Sequence, residues 1–345
     1  MKASVSIALA TYNGAEYLED LLNSVYQQTY KHIEVIACDD CSTDGTIEIL
    51  KDFKKKYGLS FCVNDHRLGF VKNFEKAISM CRGDYIALCD QDDVWLPQKI
   101  ETLLSRINGK LLVSSDLILV NKNNEIIDTS LYRHTGLEFK RENQLRYLIY
   151  SNFVVGCTAL FKKELKQYLL PFPEGIPYHD WWIALVAAAH GGVEFCEVPL
   201  VRYRYHGKNN SQTGKKMLMP TVMDKVKEVN KKLKSSFYED KYNWLKAIYT
   251  NVAFSNDCKK YISEAITIYE GLINKPIPVR ATYLAFKNRK FIFPKRGPAK
   301  RIIFTLGMIF SGFIRKLHNN NALVFTFKAR RQNEVSGGQK QVLQK

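Results

Sequence analysis

Four short apolar runs in the first ninety residues each stop at a polar or acidic tip, and helical segments lie between them. The runs are Ser4–Ala10, Ile33–Cys38, Leu59–Val63 and Tyr85–Cys89. Between them, Ala15–Gln28 repeats apolar residues at helical spacing (Leu18, Leu21, Leu22, Val25), as do Thr46–Tyr57 and Val71–Cys81. Strands separated by helices call for a mostly parallel central sheet with flanking helices and right-handed crossovers. Such sheets bind ligands beyond the carboxyl ends of their strands. Those ends carry Thr11, Tyr12 and Asn13; Asp39 and Asp40; Asn64, Asp65 and His66; and Asp90, Gln91, Asp92 and Asp93. Four polar tips on one edge outline one site.

The fourth tip says most about chemistry. Asp90, Asp92 and Asp93 repel one another when crowded, and a bound cation relieves that repulsion. Oxygen ligands of this kind point to Mg²⁺ or Mn²⁺ rather than zinc. A solvated acidic loop is the plainer reading of the same residues. At the second tip, Ser42 or Asp44 can cap the following helix, but Asp39 and Asp40 precede any capping position. Their carboxylates can accept from a nucleobase N–H or a ribose hydroxyl. No G-x-G-x-x-G or P-loop sequence occurs, which argues against a dinucleotide or P-loop fold.

Farther along, residues 97–108 read as a helix with Pro97 at its start. Lys110–Asp116, Leu117–Val120, Glu125–Asp128, Val154–Phe161, Val193–Val198 and Leu200–Tyr205 read as strands, and Gln144–Tyr150 and Trp182–Ala189 as helices. His179, Asp180, Trp181 and Trp182 follow a loop with three prolines; alone, Asp180 could be a helix cap. Arg202 and Arg204 alternate with tyrosines ahead of His206, so both face one side, toward phosphate or solvent. Lys72 and Asn73 are weaker pocket candidates on a helix surface.

The segments S-I-A-L-A-T-Y-N-G, C-D-D-C-S-T-D-G-T and G-D-Y-I-A-L-C-D-Q-D-D-V-W, with H-D-W-W and Y-R-Y-H-G later, resemble the family 2 glycosyltransferases of GT-A fold. The D-Q-D-D-V-W form is most similar to the bacterial rhamnosyltransferase-like branch, and the likeness covers roughly residues 3–214. The resemblance implies that Thr11, Tyr12 and Asn13 with Asp40 hold the nucleotide base and ribose; Asp39, from its place at the strand tip, and Asn73 are further candidates for the same pocket. Asp90, Gln91 and Asp92 would form the D-x-D element, with Asp92, Asp93 and His206 toward the metal. Asp180 would be the base of an inverting reaction. Trp181 and Trp182 divide, on this reading, into a core anchor and a sugar platform. The donor implied is a nucleotide-diphosphate sugar, first dTDP-rhamnose. The acceptor implied is a lipid-linked glycan of a bacterial surface polysaccharide.

The net charge of +17 lies almost entirely in the last third of the 345 residues. Residues 1–210 hold 24 Lys and Arg against 26 Asp and Glu, whereas 211–345 hold 27 against 8. Such a block implies an anionic neighbour. An anionic membrane surface is the expected one, because Lys300, Arg301, Arg315 and Lys316 bracket the apolar Ile302–Ile314, too short to span a bilayer. No nucleic acid is expected, since no nucleic-acid motif accompanies the charge. Lys225–Lys234 reads as a second basic helix. The expected division is a catalytic domain over 1–214, a basic and mainly helical region over 215–333, and a disordered tail over 334–345. The N-terminus lacks a signal-peptide core, and the eight cysteines sit mostly in apolar runs. Both favour a cytoplasmic enzyme, peripheral on the inner face of the membrane. Cys38 and Cys41 form a lone C-x-x-C that suits neither zinc nor redox use. The rival readings are a nucleotidyltransferase, which would need a basic Gly-rich triphosphate loop, and a non-catalytic nucleotide-sugar or glycan-binding module.

Overall fold

The computed structural model describes residues 2–206, 235–273 and 277–309. The expected Lys225–Lys234 helix and the 334–345 tail lie outside them. The chain opens as strand β1 (Val5–Thr11), helix α1 (Ala15–Tyr26), β2 (Ile33–Asp39), α2 (Thr46–Tyr57), β3 (Ser60–Val63), α3 (Phe70–Met80) and β4 (Tyr85–Asp90). Strands β3, β2, β1 and β4 pair side by side and parallel. Both faces of β1, β2 and β4 are covered, which is why these read as near-continuous apolar runs, whereas β3 is the partly exposed edge strand. Ile7 and Leu9 point into a cluster with Leu18, Leu22 and Leu50, while Ala8 and Leu88 join one with Phe74 and Ile78 on the opposite face. Gly58 closes α2 in the left-handed conformation (φ +76°) that ends many helices.

The second half of the sheet is mixed. It comprises β5 (Val94–Trp95), β6 (Leu112–Asn121), β7 (Ile126–Asp128), β8 (Leu160–Lys162) and β9 (Val193–Tyr205). The order continues from β4 through β8, β6 and β9 to β5, with β7 on β6. Short β8 runs antiparallel to both β4 and β6, so the parallel pairing stops there and resumes only between β6 and β9. Four sequence expectations shift. The 110–120 region is one strand, as is 193–205, and the β6–β9 register slips near Asp116 and Pro199. The run 154–161 is not one strand: Gly156–Thr158 forms a single 3-10 turn before β8. Helix α4 (Lys99–Arg106) starts after Pro97, whose carbonyl accepts from Thr29 N instead.

Helices α5 (Leu131–Thr135), α6 (Gln144–Leu148), α7 (Lys166–Leu169) and α8 (His179–His190) complete this part. Helix α8 is buried along Trp181–Ala187, as an all-round apolar helix must be. Its outer side is covered by α9 (Ser235–Tyr249) and the loop that follows, and α10 (Asn256–Ile273) and α11 (Val279–Ile292) extend the same apolar cluster. Trp181 packs on Trp244 with ring centres 4.5 Å apart, and Trp182 on Phe254 at 5.8 Å. Arg146 of α6 donates to Asn288 Oδ1 at 3.1 Å and lies over Phe291. The last described helix, α12, covers residues 298–309. All eight cysteines are thiols, and Cys41, at φ +65°, donates to the Asn64 carbonyl rather than facing Cys38.

Candidate active site

The tips of β1, β2 and β4 meet through side-chain hydrogen bonds that the sequence did not disclose. Thr11 Oγ1 donates to Asp39 Oδ1 at 2.8 Å, and Asp39 also accepts from the backbone N and hydroxyl of Ser42. Asn13 sits at φ +46°, receives Thr43 N on its carbonyl oxygen and gives its own N–H to Ser42 Oγ. The Gln91 carboxamide accepts from Tyr12 N at 2.7 Å and donates to Tyr12 O at 2.9 Å, locking the acid tip onto β1. A Cβ at Gly14 would overlap that carboxamide, so the close approach requires glycine there.

Asp40 is fully engaged by protein donors: Leu68 N and Asn64 Nδ2 on one oxygen, Gly69 N on the other. Asn73 is buried and donates to Cys38 O at 2.8 Å. Asp39, Asp40 and Asn73 therefore shape this end of the site from within rather than presenting free polar groups at its surface. The surface there belongs to Tyr12, whose ring carries the Arg67 guanidinium at 3.9 Å. Lys72 is ion-paired with Glu75 and Glu174.

At the acid tip, the three aspartates occupy different depths. Asp90 and Asp92 are partly exposed, whereas Asp93 is buried. Burial, reinforced by Asp92, pushes the Asp90 carboxyl up to about 7 and the Asp93 carboxyl well above its usual range. Asp93 Oδ1 accepts from Arg204 N at 3.2 Å, and its buried Oδ2 has no hydrogen-bond partner of good geometry among the described residues, with the Cys157 thiol beside it. Ligand atoms of Asp90, Asp93 and Cys157 lie within 4.8 Å of one another. His206 Nε2 meets Asp92 Oδ2 at 2.8 Å, and its ring stacks on Tyr17. Crowded carboxylates, an orphaned buried oxygen and an imidazole beside them fit a hard divalent cation. Asp90, Asp92 and His206 at the opening would hold it, with Asp93 beneath. Arg204 is buried, against the expectation of phosphate or solvent: it donates to Asp92 O and Lys122 O and pairs with Asp20. Its work is to hold the acid loop against β9.

Two further residues complete the cluster. Lys99 is buried beneath the acids, its Nζ 2.6 Å from Cys157 O and 3.1 Å from the Trp95 ring centre, and burial pushes it down to about 8. In sequence it reads as an ordinary first-turn helix residue, and no local signal marks it. Gly156, mistaken for strand, supplies an N–H to Asp180 Oδ2 at 3.1 Å.

Asp180 lies inside α8, one residue past its first, so it is not the cap; Tyr178 is. Burial raises its carboxyl to about 6, and its charge is felt at Asp90. Asp180 Oδ1 accepts no hydrogen bond within the described residues. The site thus brings Asp180 close enough to Asp90 for their charges to interact, with Asp92, Asp93 and His206 grouped at the same tip as Asp90. It does not bring in the tryptophans: Trp181 Nε1 donates to Leu148 O, Trp182 Nε1 to Leu169 O, and both rings are buried. Both are core anchors here, against the expectation of one sugar platform.

The family model "Glycosyl transferase family 2" matches residues 6–169, the stretch that carries the strand tips and the acid cluster. The chain carries a family 2 glycosyltransferase domain. Among relatives of this glycosyltransferase, dTDP-rhamnosyl transferase RfbG of Shigella flexneri is 27% identical over 60% of this chain and 73% of its own length. WfaP of Escherichia coli, a UDP-Glc:alpha-D-GlcNAc-diphosphoundecaprenol beta-1,3-glucosyltransferase, is 29% identical over 51% and 68%. TuaG of Bacillus subtilis is 36% identical, but only over 30% of this chain and 41% of its own. The fold is GT-A. Mannosyltransferase PcManGT of Pyrobaculum calidifontis, solved with GDP-Man and Mn²⁺, superposes with a TM-score of 0.52 at 17% identity, over 94% of this chain and 81% of that one.

Proposed function

We propose that this glycosyltransferase moves one sugar from a nucleotide-diphosphate donor, with inversion, onto a lipid-linked acceptor during synthesis of a bacterial surface polysaccharide such as capsule or O-antigen. Rhamnose from dTDP-rhamnose is the first donor to test, because RfbG bears that name. The lipid-linked acceptor is favoured by WfaP, whose name specifies a diphosphoundecaprenol acceptor. The observation that carries the reading is Asp180, a carboxylate raised to about 6, held by the Gly156 N–H and within electrostatic reach of Asp90 at the acid tip.

An acceptor hydroxyl is a poor nucleophile until a base within hydrogen-bond reach takes its proton. Gly156 holds Asp180 Oδ2, and Oδ1, buried and without a hydrogen-bond partner of good geometry among the described residues, would take that proton once the entering acceptor opens a way to it. As the new C–O bond forms at the anomeric carbon, the bond to the diphosphate breaks on the opposite face and the nucleoside diphosphate departs. The transition state is oxocarbenium-like, as in glycoside hydrolysis. A divalent cation, when bound, stabilises charge on that diphosphate. The protein's own part is to fix Asp92 through His206, and the acid loop through Arg204 and Gln91. Tyr12, with Arg67 on its ring, offers a planar platform to the base. No described helix is long and apolar enough to cross a membrane. Meeting a lipid-linked acceptor then calls for docking on the inner, anionic membrane face, for which the basic C-terminal third is suited. The test is a panel of nucleotide sugars with Mn²⁺ or Mg²⁺, followed by the anomeric configuration of the product by NMR. Retention of configuration, or no transfer from any donor, would overturn the proposal.

A further inference from the structure

We infer that α12 is an in-plane anchor whose outward side enters an anionic lipid bilayer. The helix is built inside out. Of residues 302–309 only Thr305 carries a polar side chain, and Thr305 is buried, its hydroxyl turned back onto Arg301 O at 2.7 Å. Ile309 is buried on the same side, one turn on. Ile302, Ile303, Phe304 and Leu306 face outward instead, Ile303 at 64% exposure. A helix that shows water its apolar side is stable only when something apolar covers that side.

Charge decides the partner. Residues 277–309 contain eight Lys and Arg and no Asp or Glu. Of these, Lys295, Arg296 and Lys300 are exposed immediately before the apolar side, and Arg280, Arg289 and Lys290 are exposed along α11, whereas Lys287 is paired with Glu264. Val279 and Tyr283 add exposed apolar surface to α11 at 87% and 65%. Exposed apolar residues flanked by cations and free of acids are what an interfacial helix presents to anionic lipid. A second copy of this chain would bring like charge against like. The inference deepens the membrane-docking part of the proposed function and rests on it for the choice of lipid; it asks nothing of the donor or the chemistry.

The test floats the full chain with vesicles of phosphatidylcholine alone, or of phosphatidylcholine and phosphatidylglycerol in equal parts. The protein should rise with the anionic vesicles only, and high salt should release it. Ile303→Glu with Leu306→Glu should lower the bound fraction about tenfold or more, with melting temperature and transfer to a water-soluble acceptor unchanged. Lys300→Glu should weaken binding to anionic vesicles specifically. If the double variant unfolds, Ile303→Ser takes its place. Equal behaviour on both vesicle types, or flotation of the acidic variants like the parent, would overturn the inference. So would sedimentation showing a dimer that Ile303→Glu dissolves while lipid is ignored. Intact flotation without transfer would count only against the transferase chemistry.

Discussion

Asp180→Asn separates catalysis from stability in one substitution, because the two effects have opposite sign. Asparagine keeps the shape and can still accept from Gly156 N, but it cannot take a proton. Removal of a general base costs roughly 10²–10⁴ in rate, or about 3–5 kcal/mol of transition-state stabilisation. The folded protein meanwhile gains. Raising the carboxyl from 3.8 to about 6 corresponds to about 3 kcal/mol of penalty on the ionised form. For an acid whose folded value is raised, that penalty is fully present above about 6 and fades toward 4 as the proton binds. Asp180→Asn should therefore melt up to about 5 °C higher than the parent at pH 8, with the gap closing near pH 4. Parent kcat should fall about tenfold per pH unit below about 6. The assays are nucleoside-diphosphate release, differential scanning fluorimetry across pH, and donor binding by calorimetry, which should be nearly unchanged. Transfer within about threefold of the parent, or no stabilisation at pH 8, would refute the assignment of the base.

Three more predictions follow from the same geometry. Chelation should abolish transfer and Mn²⁺ or Mg²⁺ restore it, and His206→Ala should raise the Mn²⁺ needed for half activity about tenfold; an unmoved titration would remove His206 from the metal's surroundings. Lys99→Met leaves buried acids without their cation and should cost about 3 kcal/mol in urea unfolding; a change under about 0.5 kcal/mol would show that the ammonium is dispensable. Gly14→Ala should break the Gln91 to Tyr12 pair, costing about 1–3 kcal/mol and raising the KM for donor; parental KM would mean that the tip tolerates the displacement.

The parallel half of the sheet was legible because β1, β2 and β4, buried on both faces, must be apolar nearly throughout, and the edge strand β3 follows in the same alternation; all four fall within a residue or two of their expected positions. The same rule misled at 154–161, where an equally apolar run bends at Gly156 to aim an N–H at Asp180. Spacing also located the acids, but residue type at a tip does not reveal which oxygens remain open. Asp39, Asp40 and Asn73 spend theirs on neighbouring backbone and side chains, and only coordinates show it. Lys99 was invisible for a related reason: its burial is set by Trp95 and Cys157, far from it in function and ordinary in sequence. Trp181 and Trp182 suit core and sugar alike in sequence, and only Trp244 of α9 and Phe254 in the loop after it show that both are covered.

That last contact has a practical consequence. The family-matched stretch ends at 169, and a truncation at 206 looks natural from the motifs. The cut at 169 would remove α8 with Trp181, Trp182 and Asp180 altogether, and the cut at 206 would strip α9 to α11 away and leave Trp181 and Trp182 bare on one flank. A shortened enzyme made that way should precipitate or lose its base from position, and its silence in an assay would say nothing about sugar chemistry.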